Sequence, residues 1–265
     1  MRLTRAVRRA LAGLARSNGF VVARRSQDER MQDAVADFDG MLELLLAQAG
    51  VPREAAHGQL KQDIAALACN GFKRNGYFVD IGAADPVYSS NTAMLERVFG
   101  WDGICAEANP EFHEALRNER RCAVDERCVW TSTGATVSFH FVSTLSTVSN
   151  FANADHHADA RAAAEIGTVR TVSMNDLLKT HGAPPHVDFL SMDSEGSELA
   201  ILEAFDFSTT SFGFICIEHN YAPSREAIKD LLASKGYRRI WTRLSEWDDW
   251  FVPDRSKGQD TPSGV

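Results

Sequence analysis

The chain has 265 residues, of which 44% are hydrophobic and 24% charged, a composition typical of a globular protein with one sizeable α/β domain and a smaller appended region. Its formal net charge of −8 argues against general nucleic-acid binding, because the chain as a whole repels a phosphate backbone. The five cysteines include no CxxC pair and no zinc-ligand spacing, which predicts reduced thiols and a cytoplasmic protein.

Positive charge is concentrated at the N-terminus. Residues 1–25 contain seven arginines and no acidic residue. Apolar residues recur there at helical spacing, at Leu3, Val7, Leu11 and Leu14. This pattern predicts a basic amphipathic helix. The helix is either solvated or packed against the rest of the protein, or it contacts the anionic inner face of the membrane. The arginines interrupt every apolar stretch, which excludes a transmembrane span in this segment.

Three regions are predicted along the chain: a helical N-terminal region over residues 1–70, a main domain over 71–255 and a flexible tail over 256–265. In the main domain, strand patterns alternate with helical ones. The predicted strands are YFVDIG (77–82), GICAE (103–107), RCVW (127–130), TVSFHFV (136–142), VRTVS (169–173), VDFLSM (187–192), FGFICIE (212–218), YRRIWTRL (237–244) and DWFV (249–252). This alternation predicts a mostly parallel sheet with helices on both faces, which binds ligands at the carboxyl ends of its strands.

Several of these strand ends carry acidic, polar or small residues. They are Asp80-Ile81-Gly82-Ala83, Glu107, Asp193-Ser194-Glu195 and Glu218-His219-Asn220. Gly82 permits close approach of a ligand to the backbone, and Glu107, 25 positions later, can accept hydrogen bonds from both hydroxyls of a ribose. The combination predicts a cofactor that contains a nucleoside.

The acidic surroundings distinguish between two kinds of nucleoside cofactor. A dinucleotide needs a glycine-rich turn for its pyrophosphate, but no GxGxxG follows the first strand and Asp85 would repel a phosphate. S-adenosylmethionine has no phosphate and carries a cationic sulfonium, which suits a site rich in carboxylates. The sequence therefore favours S-adenosylmethionine.

Four stretches carry a resemblance to a known family: FVDIGAADPVYSSNTAMLERVFGWDGICAEANPEFHEALRNERRC, VDFLSMDSEGSELAILEAFDF, FICIEHN and DDWFV. Over about residues 72–252 the chain resembles the FkbM-type S-adenosylmethionine-dependent methyltransferases. The resemblance implies a class I (Rossmann-like) fold with a mostly parallel seven-stranded sheet. It also implies O-methylation of a hydroxyl, commonly that of a sugar in a bacterial glycan or glycolipid, or of a related secondary metabolite. The acceptor is therefore expected to be a small molecule or a glycan.

With this resemblance, the predicted cofactor-binding residues are Asp80, Ile81, Gly82, Ala83, Ser90, Asn91, Glu107, Ala108 and Asp193. Two catalytic arrangements remain open, because a methyl acceptor must lose or share its hydroxyl proton. In one, His219 or a carboxylate (Asp193, Glu195 or Glu218) is the general base. In the other, Asp193 with Glu218 or Asn220 binds Mg²⁺ or Mn²⁺, which lowers the pKa of the acceptor hydroxyl.

Two other functions also remain open: a binding or scaffolding protein without turnover, and an NAD-dependent oxidoreductase. Residues 143–168 have no clear pattern and do not identify the acceptor. In this segment His156-His157 is either a surface pair or a second base or ligand pair. Glu198 is predicted to stabilise the start of a helix rather than to react.

Overall fold

The computed structural model describes residues 40, 44, 46, 47, 50–154 and 157–255. The predicted basic arm (1–25), the predicted tail (256–265) and His156 lie outside the described residues. Most described residues belong to one compact unit that begins at residue 45. Within the described ranges, no helix combines the length and the apolar character needed to cross a bilayer.

Strands and helices alternate through most of this unit. The strands are β1 Tyr77–Ile81, β2 Asp102–Ala106, β3 Ala123–Asp125, β4 Cys128–Trp130, β5 Thr136–Phe141, β6 Thr147–Val148, β7 Glu165–Ser173, β8 His186–Met192, β9 Ser211–Glu218, β10 Tyr237–Ile240 and β11 Asp248–Pro253. The α-helices are α1 Gln62–Cys69, α2 Ala93–Phe99, α3 His113–Glu119, α4 Ala158–Arg161, α5 Met174–Thr180, α6 Glu198–Ala204 and α7 Arg225–Ser234. Short 3-10 turns lie at Arg53–Ala55, Pro110–Phe112 and Ser149–Phe151.

The main sheet has seven strands in the order β10-β11-β9-β8-β1-β2-β3. Neighbouring strands from β9 to β3 run parallel, whereas β11 is antiparallel to both β9 and β10. The chain moves outward from β1 through β2 to β3 and then returns to place β8 on the other side of β1. The strand order therefore reverses between β1 and β8, where ligands bind in sheets of this kind. The predicted fold class is confirmed.

The central strands are buried because both faces of the sheet are covered. From Val187 to Met192 every residue of β8 is buried, and most of β9 is too. Such continuous apolar runs are typical of parallel strands covered on both faces. One carboxylate in β8, Asp188, is compensated: it accepts hydrogen bonds from Lys73 Nζ (2.8 Å) and from the Tyr77 backbone N–H (2.9 Å).

A second, four-stranded sheet is formed between β3 and β8, in the order β4-β7-β5-β6. It surrounds a small apolar core of Cys128, Phe139 and Val148. The segment without clear pattern, 143–168, contains β6, α4 and the first residues of β7. Strand β7 begins at Glu165, four residues before the predicted start at Val169, because its pairing with β5 extends to Phe141.

Candidate active site

Gly82 brings the ends of β1 and β8 into close contact. Its φ is 78°, and a Cβ at this position would lie 1.7 Å from the Asp193 carbonyl oxygen. The Asp193 N–H donates to the Ile81 carbonyl oxygen at 2.9 Å. A side chain at position 82 would therefore separate the two strand ends, and only glycine fits both the backbone conformation and the space.

Glu107 follows β2, and its carboxylate is held by backbone groups. Oε1 accepts a hydrogen bond from Asn109 N–H (2.7 Å), and Oε2 accepts one from Ala84 N–H (2.8 Å). Burial raises the pKa of Glu107 to about 7, although these backbone donors oppose the shift. Each carboxylate oxygen can accept a further hydrogen bond. Glu107 is thus oriented and still able to bind two hydroxyl groups.

A small pocket extends from Glu107 toward the second sheet. Its walls include Ala108, Val129, Phe139 and Val148, all apolar. The pocket also reaches Gly82 and Asp193 at the ends of β1 and β8. A pocket with apolar side chains on one wall and polar groups, Glu107 among them, on the others suits a nucleoside, whose base is flat and whose ribose donates hydrogen bonds.

Asp80 lies inside the end of β1 and is part of a buried polar network. Its Oδ2 accepts a hydrogen bond from Thr92 Oγ1 (2.6 Å), which in turn accepts one from Arg120 Nη2 (2.9 Å). Burial raises the pKa of Asp80, and Thr92 and Arg120 oppose that rise. Ser90 Oγ accepts from the Thr92 and Ala93 N–H groups at 3.3 and 3.1 Å. Asp80 thereby fixes the start of α2 beside the site.

A larger cavity of about 460 Å³ adjoins the small pocket. Gly82, Ala84, Thr144 and Asp193 line both. Of the predicted residues, the larger cavity is lined by Asp80, Gly82, Ala83, Ser90, Asn91, Asp193, Glu195, Glu218 and Asn220. The structure thus brings most of the predicted site residues to one edge of the sheet, and the two spaces meet at Gly82 and Asp193.

Three carboxylates form a cluster in the larger cavity. Asp193, Glu195 and Glu218 each offer an oxygen, and these oxygens lie within 4.8 Å of one another. Asp193 Oδ1 is buried without a hydrogen-bond partner among the described residues. Burial, followed by the charge of Glu218, raises the pKa of Asp193 well above its usual range. Burial also raises the pKa of Glu218 to about 8. Such groups favour a proton or a cation.

Glu195 is the member of the cluster with a permanent cationic partner. Its Oε2 accepts a hydrogen bond from Arg161 Nη2 at 2.5 Å, and the Arg161 side chain is fully buried. Arg161 Nε also donates to the Leu145 carbonyl oxygen (2.8 Å), which ties Leu145 to the acidic cluster. Arg161 is not predicted from the sequence, because it lies in a segment without periodic pattern.

Asn220 faces the carboxylates with its amide nitrogen. Nδ2 donates to Glu218 Oε2 at 2.7 Å and to Glu195 Oε2 at 3.4 Å. A metal ligand would have to present the amide oxygen, so Glu195 replaces Asn220 as the third oxygen donor beside Asp193 and Glu218. The predicted ligand set with Asn220 is therefore wrong in this structure, where Asn220 turns its amide nitrogen to the carboxylates.

His219 does not join the cluster. Its Nδ1 accepts a hydrogen bond from the Tyr221 N–H at 2.9 Å, and its Nε2 lies 3.8 Å from Asp249 Oδ1. The side chain is buried and is not among the described residues that line the cavity. The structure therefore does not place His219 as a general base. By contrast His157, from the predicted histidine pair, does line the cavity.

Two further carboxylates near the cluster have structural partners. Glu198 accepts hydrogen bonds from the backbone N–H groups of Ser194 (2.8 Å) and Gly196 (3.1 Å), so it stabilises the start of α6 as expected. Asp248, which sequence analysis did not single out, accepts from Gln62 Nε2 (2.9 Å) and lines the cavity.

The mostly parallel sheet and the two adjoining spaces at the carboxyl ends of its strands define an α/β protein with a ligand-binding edge. A comparison of the sequence with known families identifies which one. The sequence model of the methyltransferase FkbM domain matches residues 80–250, so the chain belongs to the FkbM methyltransferase family.

A solved structure is also similar, the precorrin-6y C5,15-methyltransferase from Geobacter metallireducens GS-15. The similarity covers 67% of this chain and 70% of that chain, with 16% identity and a TM-score of 0.36. This likeness is too weak to support any statement about function. No curated protein sequence matches the chain.

Proposed function

We propose that the protein is an S-adenosylmethionine-dependent O-methyltransferase that methylates a hydroxyl of a sugar in a bacterial glycan or glycolipid, or of a related secondary metabolite. The observation that carries the proposal is the pair of adjoining spaces that meet at Gly82 and Asp193. Methyl transfer requires this division, because the donor and the acceptor must approach along one line from separate sites.

The residues of the small pocket fit the nucleoside end of the cofactor. The rest of the cofactor would extend into the larger cavity, where the predicted cofactor residues Asp80, Ala83, Ser90 and Asn91 lie. Glu107 would accept hydrogen bonds from the ribose hydroxyls, and Phe139 and Val148 would pack against the adenine. Gly82 lets the ends of β1 and β8 lie close together beside this pocket, and the unpartnered Asp193 Oδ1 suits a positive charge. When bound, S-adenosylmethionine supplies a methyl group on a cationic sulfur.

The carboxylates of the larger cavity suit the removal of the hydroxyl proton. Burial raises the pKa of Glu218 to about 8, and a general base is most effective when its pKa lies near the working pH. Asp193 and Glu218 together would hold one proton in the empty site and release it when a cation arrives. We assign the role of proton acceptor to this pair, with Glu195 engaged by Arg161.

A second arrangement uses the same carboxylates as ligands. Asp193, Glu195 and Glu218 would hold Mg²⁺ or Mn²⁺, for which three carboxylate oxygens within 4.8 Å of one another are suitable donors. The ion would lower the pKa of a hydroxyl bound to it. Activity that is lost in EDTA and restored by Mg²⁺ or Mn²⁺ supports this arrangement. Activity that EDTA leaves unchanged supports the carboxylates as base.

Two measurements test the proposed function. Calorimetry should show binding of S-adenosylmethionine and S-adenosylhomocysteine but not of NAD. Mass spectrometry of glycans from cells with and without the gene should show the loss of one methyl group. Absence of cofactor binding would refute the proposal, whereas binding without any change in methylation would favour the scaffolding alternative.

A further inference from the structure

Two large aromatic side chains lie exposed at the larger cavity. Tyr88 is 80% exposed and Tyr221 is 65% exposed, and both line the cavity. Tyr88 belongs to the loop after β1 and Tyr221 to the turn after β9, and these two strands flank β8. The core does not need either ring, so their exposure at a cavity points to contact with a ligand.

The turn that carries Tyr221 has an unfavourable backbone conformation. Asn220 has a φ of 41° and Tyr221 a φ of 57°, and a left-handed conformation is rare for a bulky residue. In a bulky residue such as Tyr221 this conformation persists only where its surroundings enforce it. Backbone strain of this kind is common at ligand-binding sites. The fold therefore holds Tyr221 in its position at a cost in stability.

His219 is the residue that enforces this turn. Its Nδ1 accepts the Tyr221 N–H at 2.9 Å, and the two rings pack edge to face with their centroids 5.3 Å apart. The His219 carbonyl oxygen accepts the Ala222 N–H at 2.6 Å. This arrangement explains why a buried imidazole lies next to the site without facing it.

The turn that carries Tyr88 is also held by a preceding side chain. Asp85 Oδ1 accepts hydrogen bonds from the backbone N–H groups of Val87 (2.8 Å) and Tyr88 (2.6 Å), and Ser89 has a φ of 58°. An aspartate that binds the backbone two and three residues later stabilises a tight turn. Both tyrosines are thus presented by turns that a preceding side chain holds in place.

The cavity between these turns also contains uncharged hydrogen-bonding groups. Gln59, Gln62, Ser89, Asn91 and Asn220 are among the residues that line it. A ligand that fits has apolar faces for the tyrosine rings and many polar groups at its edge. A saturated ring with several hydroxyls, which presents C–H groups on its faces, has this character.

We propose that Tyr88 and Tyr221 are acceptor-binding residues that pack against the faces of a saturated, polyhydroxylated ring, and that His219 is the positioning residue for Tyr221. The proposal rests on the proposed function, because it takes the larger cavity as the acceptor site. It changes the role expected for His219 from proton acceptor to support of the turn.

The positioning role is tested by hydrogen exchange, which needs no acceptor. His219→Ala removes the imidazole nitrogen Nδ1 that accepts the Tyr221 N–H, and this amide should exchange at least about tenfold faster. His219→Asn places an acceptor within reach of the amide two residues later, as asparagine does in turns, and should restore most of the protection. Equal protection in wild type and His219→Ala would overturn the positioning role.

The acceptor-binding role is tested by saturation-transfer NMR on protein loaded with S-adenosylhomocysteine. The probes are methyl α-D-glucopyranoside, methyl α-L-rhamnopyranoside and methyl α-D-mannopyranoside. At least one should receive saturation from the wild-type protein. Tyr88→Ala and Tyr221→Ala should each weaken its binding about fivefold, the scale of one lost ring contact, whereas Tyr221→Phe keeps the ring and should retain binding.

Controls separate this proposal from the proposed function. Ile166→Ala removes another exposed apolar side chain, 59% exposed and outside the cavity lining, and should not change binding of the probes. Calorimetry with S-adenosylhomocysteine should give the same affinity for the tyrosine variants as for wild type. If the cofactor product binds but no probe does, or if the alanine variants bind the probe as well as wild type, the acceptor assignment is wrong. If the product itself does not bind, the proposed function fails.

Discussion

The role of Glu107 allows a prediction whose size follows from the structure. Its two oxygens already accept Asn109 and Ala84 N–H groups at 2.7 and 2.8 Å, which leaves one position on each oxygen for a ribose hydroxyl. Glu107→Ala removes both of these charge-assisted hydrogen bonds. We expect cofactor affinity to fall by about 1–3 kcal/mol, which corresponds to roughly five- to 150-fold.

The pH dependence of cofactor binding gives a second measure of the same residue. Burial raises the pKa of Glu107 to about 7, so the carboxylate is mostly protonated at pH 6 and mostly ionised at pH 8. Because hydroxyl donors prefer the ionised form, affinity should rise by up to about tenfold over this range. pH has the opposite effect on folding. Because burial raises the pKa of Glu107 in the folded protein, its contribution to the free energy of unfolding decreases as pH rises from about 4.5 to 7.

Calorimetry at pH 6, 7 and 8 checks both expectations. Glu111→Gln is the matched control, because Glu111 is an exposed carboxylate four residues away that does not line either space. A thermal melt shows whether Glu107→Ala remains folded. If folded Glu107→Ala binds S-adenosylmethionine as tightly as wild type, Glu107 does not contact the ribose. If Glu107→Ala keeps the pH dependence of affinity that wild type shows, a group other than Glu107 causes that dependence.

Three further predictions concern catalysis, packing and the N-terminal arm. Asp193→Asn should fold normally but lower turnover at least about tenfold in a methyl-transfer assay, and near-normal turnover would refute its role. Gly82→Ala should lower the melting temperature strongly, because its Cβ would lie 1.7 Å from a carbonyl oxygen. Gly134→Ala, also at positive φ but with nothing within 4 Å, should cost much less, and equal losses would contradict the steric explanation. Deletion of residues 1–25 should leave a cooperative melt and abolish sedimentation with anionic vesicles at low salt; a full-length protein that ignores such vesicles would exclude the membrane contact.

The sequence predicts which residues end the strands better than it predicts how their side chains are held. Asp80, Gly82 and Glu107 directly follow or end apolar strands, and parallel strands bring their carboxyl ends to one edge. Strand periodicity is therefore enough to place these residues together. The same holds for Asp193 at the end of β8 and for Glu218 at the end of β9.

The contacts that the sequence does not predict depend on turns and on distant residues. The Arg161–Glu195 pair joins positions 34 apart, and Arg161 lies in the segment without periodic pattern. His219 lies before two consecutive left-handed residues, Asn220 and Tyr221, and contacts the second of them. Asparagine is common in this conformation but tyrosine is not, so the sequence does not predict the turn. Patterns of neighbouring residues in the sequence cannot predict a side-chain orientation that tertiary contacts enforce.

Residues 144–148 form a wall that the two spaces share. Val148 lines only the small pocket, Leu145 lines only the larger cavity, and Thr144 lines both. Under the proposed function, replacement of this whole stretch to obtain a new acceptor would also rebuild the wall against the cofactor. Single substitutions at Leu145 would change the acceptor range and leave the small pocket intact, whereas exchange of Thr144 would alter both spaces at once.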